Sequence, residues 1–149
     1  MTLAVLQAKQ AITEQMYSYC RGLDRKDRAL TRAVWHPDGL ADYRPHYRGG
    51  ADGFIEWVWA AHEQLLGHVH HITNILIELT EPDVATTEAQ ALILIRAPGE
   101  DEHPTTSLLS VHYVDRWSCR DGRWALDTRR LLTDATEHLA RLDQVQALR

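Results

Sequence analysis

Asp24, two residues past Gly22, and His70, inside a run of β-branched and apolar residues, are the side chains in this sequence best suited to chemistry. A carboxylate beside one imidazole nitrogen fixes the ring tautomer and leaves the other nitrogen as a base. Together the two are general acid/base equipment. His70 and Asn74 are four residues apart in a segment that reads as a strand, so both side chains fall on one face, with Ile72 between them, where they could line a cavity. The plainer readings are a structural histidine, one of nine, and an ordinary polar turn at Arg25-Lys26-Asp27 beside Asp24.

His62, His68, His70 and His71 suggest a metal, with Asp24 completing two histidines and a carboxylate, but donor geometry decides such a site, not histidine number. His62-Glu63 does not open a zincin helix, because Leu66 stands where the second histidine is needed. The expectation is a site with neither metal nor cofactor. Nucleophilic chemistry has little support: there is no Gly-x-Ser-x-Gly elbow, phosphate loop or Cys-x-x-Cys pair, and Cys20 and Cys119 read as buried thiols.

Trp35, Tyr43, Trp57 and Trp59 crowd one stretch; core packing explains them, and some of them could wall an apolar pocket. Arg129 and Arg130 are adjacent on a strand, so one of them points inward unless a bulge intervenes. Alternation places Arg129 opposite Trp124 and Leu126, either in the pocket or solvated and paired with Asp115 or Asp127.

The elements that position these groups follow from hydrophobic period. Ala4, Ala8, Ile12, Met16 and Cys20 recur every four residues, which predicts an amphipathic helix from Leu3 to Leu23 that weakens at Gly22. Asp27 opens a short second helix that His36-Pro37-Asp38-Gly39 ends, and Leu40 to Tyr43 reads as a short strand. Gly49-Gly50 reads as a turn, Asp52 as an N-cap, and Phe54, Trp57, Val58 and Ala61 share one face of a third helix. His68–Leu79, Thr87–Arg96, Ser107–Arg120 and Arg123–Leu132 are strand-like, separated by Glu81-Pro82-Asp83, by Pro98 to Glu102 and by Arg120-Asp121-Gly122, with connections that look antiparallel. The tail, 135–149, is helix-capable.

At 149 residues, 44% hydrophobic and 25% charged, the chain reads as a single domain, 1–149, of α+β class in which a bent sheet wraps around the helices. A net charge of −5 with scattered basic residues argues against nucleic acid or a membrane surface as partner. No leader or membrane span is apparent, so the cytoplasm is the expected location.

The motif order resembles the SnoaL-like branch of the nuclear transport factor 2-like superfamily. The matching residues are Ile12, Tyr19 to Asp27, Trp35 to Asp38, Tyr47-Arg48-Gly49, His70 to Asn74, Tyr113 to Trp117, Asp121 to Trp124, and Arg129. The resemblance implies a cone-shaped curved sheet of mixed or antiparallel strands around three helices, a deep pocket, and a homo-dimer or homo-trimer. It is most similar to the dehydratase and dehydrochlorinase group, which implies cofactor-free elimination by a His70–Asp24 dyad on a small, largely apolar cyclic or aryl substrate. Tyr19 would join the dyad, and Tyr43, Trp57, Asn74, Tyr113 and Arg129 would contact substrate. Tyr19 lies about 140° around a regular helix from Asp24 and converges on it only if the helix breaks near Gly22; Tyr17 shares Asp24's side of an unbroken helix. The same superfamily includes isomerases, cyclases and the noncatalytic small subunits of ring-hydroxylating dioxygenases, so the fold does not by itself choose the reaction.

Overall fold

The computed structural model describes residues 2–99 and 103–139. Helix α1 runs from Leu3 to Asp24, capped by the Thr2 hydroxyl, and buries Ala8, Ile12, Met16, Tyr19, Cys20 and Leu23 along one stripe. Asp27 caps α2, Arg28–Ala33, by accepting the Leu30 N–H at 2.9 Å. The remaining elements are β1 (Trp35–Tyr43), β2 (Tyr47–Gly50), α3 (Ala51–Glu63), β3 (Gly67–Glu81), β4 (Val84–Ala97), β5 (Thr105–Arg120) and β6 (Arg123–Leu139). No helix among the described residues is long and apolar enough to cross a membrane.

The strands form one open sheet in the order β2-β1-β6-β5-β4-β3. The α+β expectation of a curved mixed sheet against N-terminal helices is the architecture observed. All neighbours are antiparallel except β1 and β6, which run parallel. The antiparallel connections expected among the four strands of the second half are thus observed, and the parallel β1–β6 pair joins strands so remote in sequence that they need no hairpin to meet. The Asp121-Gly122 turn has left-handed backbone at both positions, φ 52° and 77°, as a two-residue hairpin requires.

Three local readings change. His36 to Gly39 does not end a helix outside the sheet: these residues lie within β1, between Trp35, paired with Leu126, and Leu40, paired with Thr128. This irregular stretch accommodates Pro37, whose missing N–H would break a regular ladder. Gly49 and Gly50 are not a free turn but pair with Ala41 and Leu40, and Gly50, not Asp52, is the N-cap of α3. Residues 135–139 continue β6 beside Thr106 to Ser110, because that partner strand extends equally far; the rest of the helix-capable tail, like positions 100–102 of the predicted loop, lies outside the described residues.

Two bulges decide which side chains face the helices. In β3 the register slips between Ile72 and Ile75, so His68, His70 and Ile72 lie on the inner face before it and Ile75, Ile77 and Leu79 after it. In β6 the slip falls at Asp127, between Leu126 opposite Trp117 and Thr128 opposite Arg116. Inside the curve, Ile12, Met16, Tyr19, Phe54, Val111, Tyr113, Trp117 and Leu126 are each at most 1% exposed.

Candidate active site

α1 ends at Asp24 beside β3, and β3 is an edge strand whose outer N–H groups have no sheet partner. Asp24 supplies one. Its two oxygens accept the His70 backbone N–H at 3.1 and 3.0 Å, and Oδ1 accepts from His70 Nδ1 at 2.6 Å. The acceptor fixes the proton on Nδ1 and leaves Nε2 as the basic nitrogen. No described residue hydrogen-bonds Nε2. The His70 side chain is 4% exposed and that of Asp24 21%. Burial works to raise the Asp24 carboxyl, but the side-chain and backbone hydrogen bonds from His70 outweigh it, so the carboxyl is held below its usual range and stays ionised. An open cleft of about 320 Å³ touches the pair and is also walled by Tyr17, Cys20, Arg21 and Ile72.

Tyr19 is not on that cleft. α1 is unbroken through Gly22, so Tyr19 turns into the core while Tyr17, 55% exposed, takes Asp24's side. Gly22 serves packing instead of a break: a Cβ there would sit 2.3 Å from Thr31 Oγ1. The Tyr19 hydroxyl meets that of Tyr43 at 2.8 Å, and the Arg129 guanidinium lies 4.3 Å from the ring centres of both Tyr19 and Tyr113. Burial pushes Tyr19 up to about 12, against the opposing pull of Arg129, so it is a neutral phenol near neutral pH; Tyr43 and Tyr113 are raised for the same leading reason. Tyr43 also packs on Phe54 and Trp57, and Trp57 stacks on Tyr47 with ring centres 5.6 Å apart.

Arg129 is 1% exposed and shares the inner face with Leu126, not the opposite one, because the bulge at Asp127 reverses the alternation. Its Nε and Nη2 donate to the two oxygens of Asp115, each at 2.8 Å. Thr87 donates to Asp115 at 3.2 Å and accepts from the Trp117 indole at 3.0 Å. Burial opposes the Arg129 charge, but Asp115 overcomes it and the group remains a cation. Asp115 is therefore a buried anchor, not a surface partner; its alternation with Tyr113 and Trp117 was the signal for that. Asn74 leaves the site: the β3 bulge exposes it, with its Oδ1 accepting from the Thr73 hydroxyl at 2.8 Å.

One donor atom each from Asp24, His68 and His70 lie within 4.8 Å of one another. Asp24 and His70 are already clasped, and His68 Nε2 meets the Leu23 carbonyl at 2.9 Å. These contacts engage one nitrogen of each ring and leave His68 Nδ1 and His70 Nε2 without a hydrogen-bond partner among the described residues. His62, at the end of α3, lies over His68 with ring centres 4.0 Å apart.

Comparison with solved structures gives a provisionally assigned scytalone dehydratase of Novosphingobium aromaticivorans, at 25% identity over 95% of this chain and 93% of that one, TM-score 0.83. A hexachlorocyclohexane dehydrochlorinase, LinA type 2, superposes at TM-score 0.84 with 18% identity over 93% of both chains. A type 3 LinA from Novosphingobium barchaimii superposes at 0.80 with 21% identity over 93% of this chain and 94% of that one. No curated protein sequence matches closely. The SnoaL-like domain model matches residues 4–130, and the chain belongs to that family.

Proposed function

We propose that this protein is a cofactor-independent lyase that eliminates water or a similar group from a small, largely apolar cyclic or aryl substrate. His70 Nε2 removes a carbon-bound proton, Asp24 holds the ring by Nδ1 and stabilises the imidazolium formed, and the leaving group departs with its bonding electrons. The proton taken up by His70 Nε2 passes to a departing hydroxyl, which leaves as water and restores the neutral ring. The observation that carries this reading is the 2.6 Å contact between His70 Nδ1 and Asp24, made at the wall of a cleft with Nε2 left free of protein partners. General base catalysis contributes about 100- to 10,000-fold, and substrate positioning with charge complementarity supplies the remainder.

The test is a turnover screen of cyclic alcohols and aryl diols, followed by His70→Ala. Loss of turnover with an unchanged circular dichroism spectrum is expected. A folded His70→Ala protein that retained the wild-type rate would overturn the reading.

A further inference from the structure

The face of the sheet turned away from the helices carries more apolar surface than a solvated face needs. Leu40, Leu76, Leu92, Val114 and Leu132 alternate with inward residues on their strands, so they point outward, and each is at least 38% exposed. An antiparallel sheet that meets water on one side normally presents polar residues there. Large apolar side chains gathered on such a face and rimmed by charge mark a contact surface.

Apolarity alone does not say what covers the face; the charges do. Paired positions share a face, so one row crosses all six strands: Arg48, Asp42, Arg130, Val114, Glu88 and Leu76 on β2, β1, β6, β5, β4 and β3 in turn. Arg44 clasps Asp42 through two bonds of 2.7 Å. Arg48 and Arg130 therefore keep their charge, and neither makes an ion pair among the described residues. On the other half, Glu88 reaches only His112, at 3.9 Å, and the exposed Glu78 makes no ion pair among the described residues. The face is thus basic toward β2 and acidic toward β3. Further along the longer strands the signs exchange, with exposed Glu137 on β6 and exposed Arg96 on β4. The basic half is also concave: a hollow of about 310 Å³ is walled by Leu40, Asp42, Arg48, Thr128 and Arg130. Leu76, beside Glu88 on the acidic half, is 59% exposed.

We propose that a second copy of this chain covers the face, in an isologous dimer whose two-fold axis runs parallel to the strands between β6 and β5. That axis lays β3 of one copy over β2 of the other, so Glu88 falls between Arg48 and Arg130 while Leu76 meets the rim of the hollow, and symmetry repeats the contact. An axis across the strands would set basic on basic, which repulsion forbids. A phosphate backbone or an anionic bilayer would meet the acidic half and be repelled by it. The dimer does not depend on the reading of His70 and Asp24, which lie on the inner side of the sheet.

Sedimentation of the full chain should give twice the chain mass. Arg48→Glu with Arg130→Glu makes the row acidic throughout, and Glu78→Lys with Glu88→Lys makes it basic throughout. Each double variant should weaken the dimer at least about 100-fold, because like charges then face each other. Mixing the two should restore a dimer, since each meets its complement. All four side chains are exposed, so the circular dichroism spectrum should not change. Should a double variant misfold, Val114→Arg, which meets Arg130 of the second copy near the axis, should weaken the dimer by itself, and the wild-type dimer should loosen as salt is raised. A wild type that sediments as a monomer, or as an assembly of another order, overturns the proposal. So does a dimer that the folded variants leave intact, a mixture that does not reassociate, or a wild-type dimer indifferent to salt.

Discussion

Asp24 holds His70 twice, accepting its ring Nδ1–H at 2.6 Å and its backbone N–H at 3.0 Å, so one carboxylate both caps an edge strand and orients a base. The two roles separate by substitution. Asp24→Asn retains an acceptor for one N–H but loses the charge that stabilises an imidazolium, and turnover should fall at least about 100-fold. Combined with His70→Ala it should add almost nothing, because members of one catalytic unit are not additive. Independent, multiplying losses in the double variant would show that the pair does not act together. Asp24→Ala should also lower stability, by about 1 to 3 kcal/mol in urea melts, through the uncapped β3 edge.

The Arg129–Asp115 pair is fully enclosed, both side chains at 0% exposure. Removing one partner leaves an uncompensated buried charge, so Asp115→Ala should destabilise by about 3 to 5 kcal/mol. Asp38→Ala, which releases Arg120 at the surface, should shift the urea midpoint far less. Equal effects from the two would contradict the enclosure of Arg129 between Asp115 and the Tyr19 and Tyr113 rings.

Local pattern made α1 readable from the four-residue recurrence of Ala8, Ile12, Met16 and Cys20, and it made the Asp24–His70 pairing plausible through resemblance. It failed where a single extra residue changes parity. Strict alternation put Asn74 beside His70 and Arg129 opposite Leu126, and one bulge in each strand reversed both assignments. A bulge is settled by the partner strand's register, which no short window of sequence contains. β1 was obscured for a related reason, since Pro37 and Gly39 look like a stop signal until the irregular stretch beside β6 is seen. The lone pair of His68 was hidden differently: it exists only because Leu23, in another element, accepts from the opposite nitrogen.

Gly22 gives a test in which helix propensity and packing disagree. Replacing an exposed helical glycine by alanine gains up to about 1 kcal/mol. Here the new methyl would fall 2.3 Å from Thr31 Oγ1 and 2.8 Å from the Thr31 backbone nitrogen, with Thr31 itself buried. Gly22→Ala should therefore destabilise by about 1 to 3 kcal/mol. Thr31→Ala should relieve only part of that, because the backbone contact remains. A more stable Gly22→Ala protein would mean that α1 and α2 pack less closely than described.

The histidines around the dyad predict acid sensitivity. His62 is pushed down to about 3, by burial first and then by His68, His70 and Lys26, with Asp24 pulling the other way. His68 is lowered by burial, against the Leu23 carbonyl and Asp24. As pH falls through the ordinary histidine value of 6.5, the unfolded chain takes up protons that the folded chain refuses until far lower pH, so folding stability declines with acidification. One such histidine sets a slope of at most about 1.4 kcal/mol per pH unit, and the partial exposure of His62 reduces it. Asp24 enters later: its carboxyl is held below the ordinary 3.8, so the stability it contributes is present above that value and is lost only as pH falls beneath it. Urea midpoints should therefore drop as pH falls from the ordinary histidine value of 6.5 toward the value of about 3 that His62 has in the folded chain, and His62→Gln should flatten part of that drop while leaving in place the loss that Asp24 sets. An identical pH profile in His62→Gln would mean that the His62 ring protonates as freely in the folded protein as in the unfolded chain.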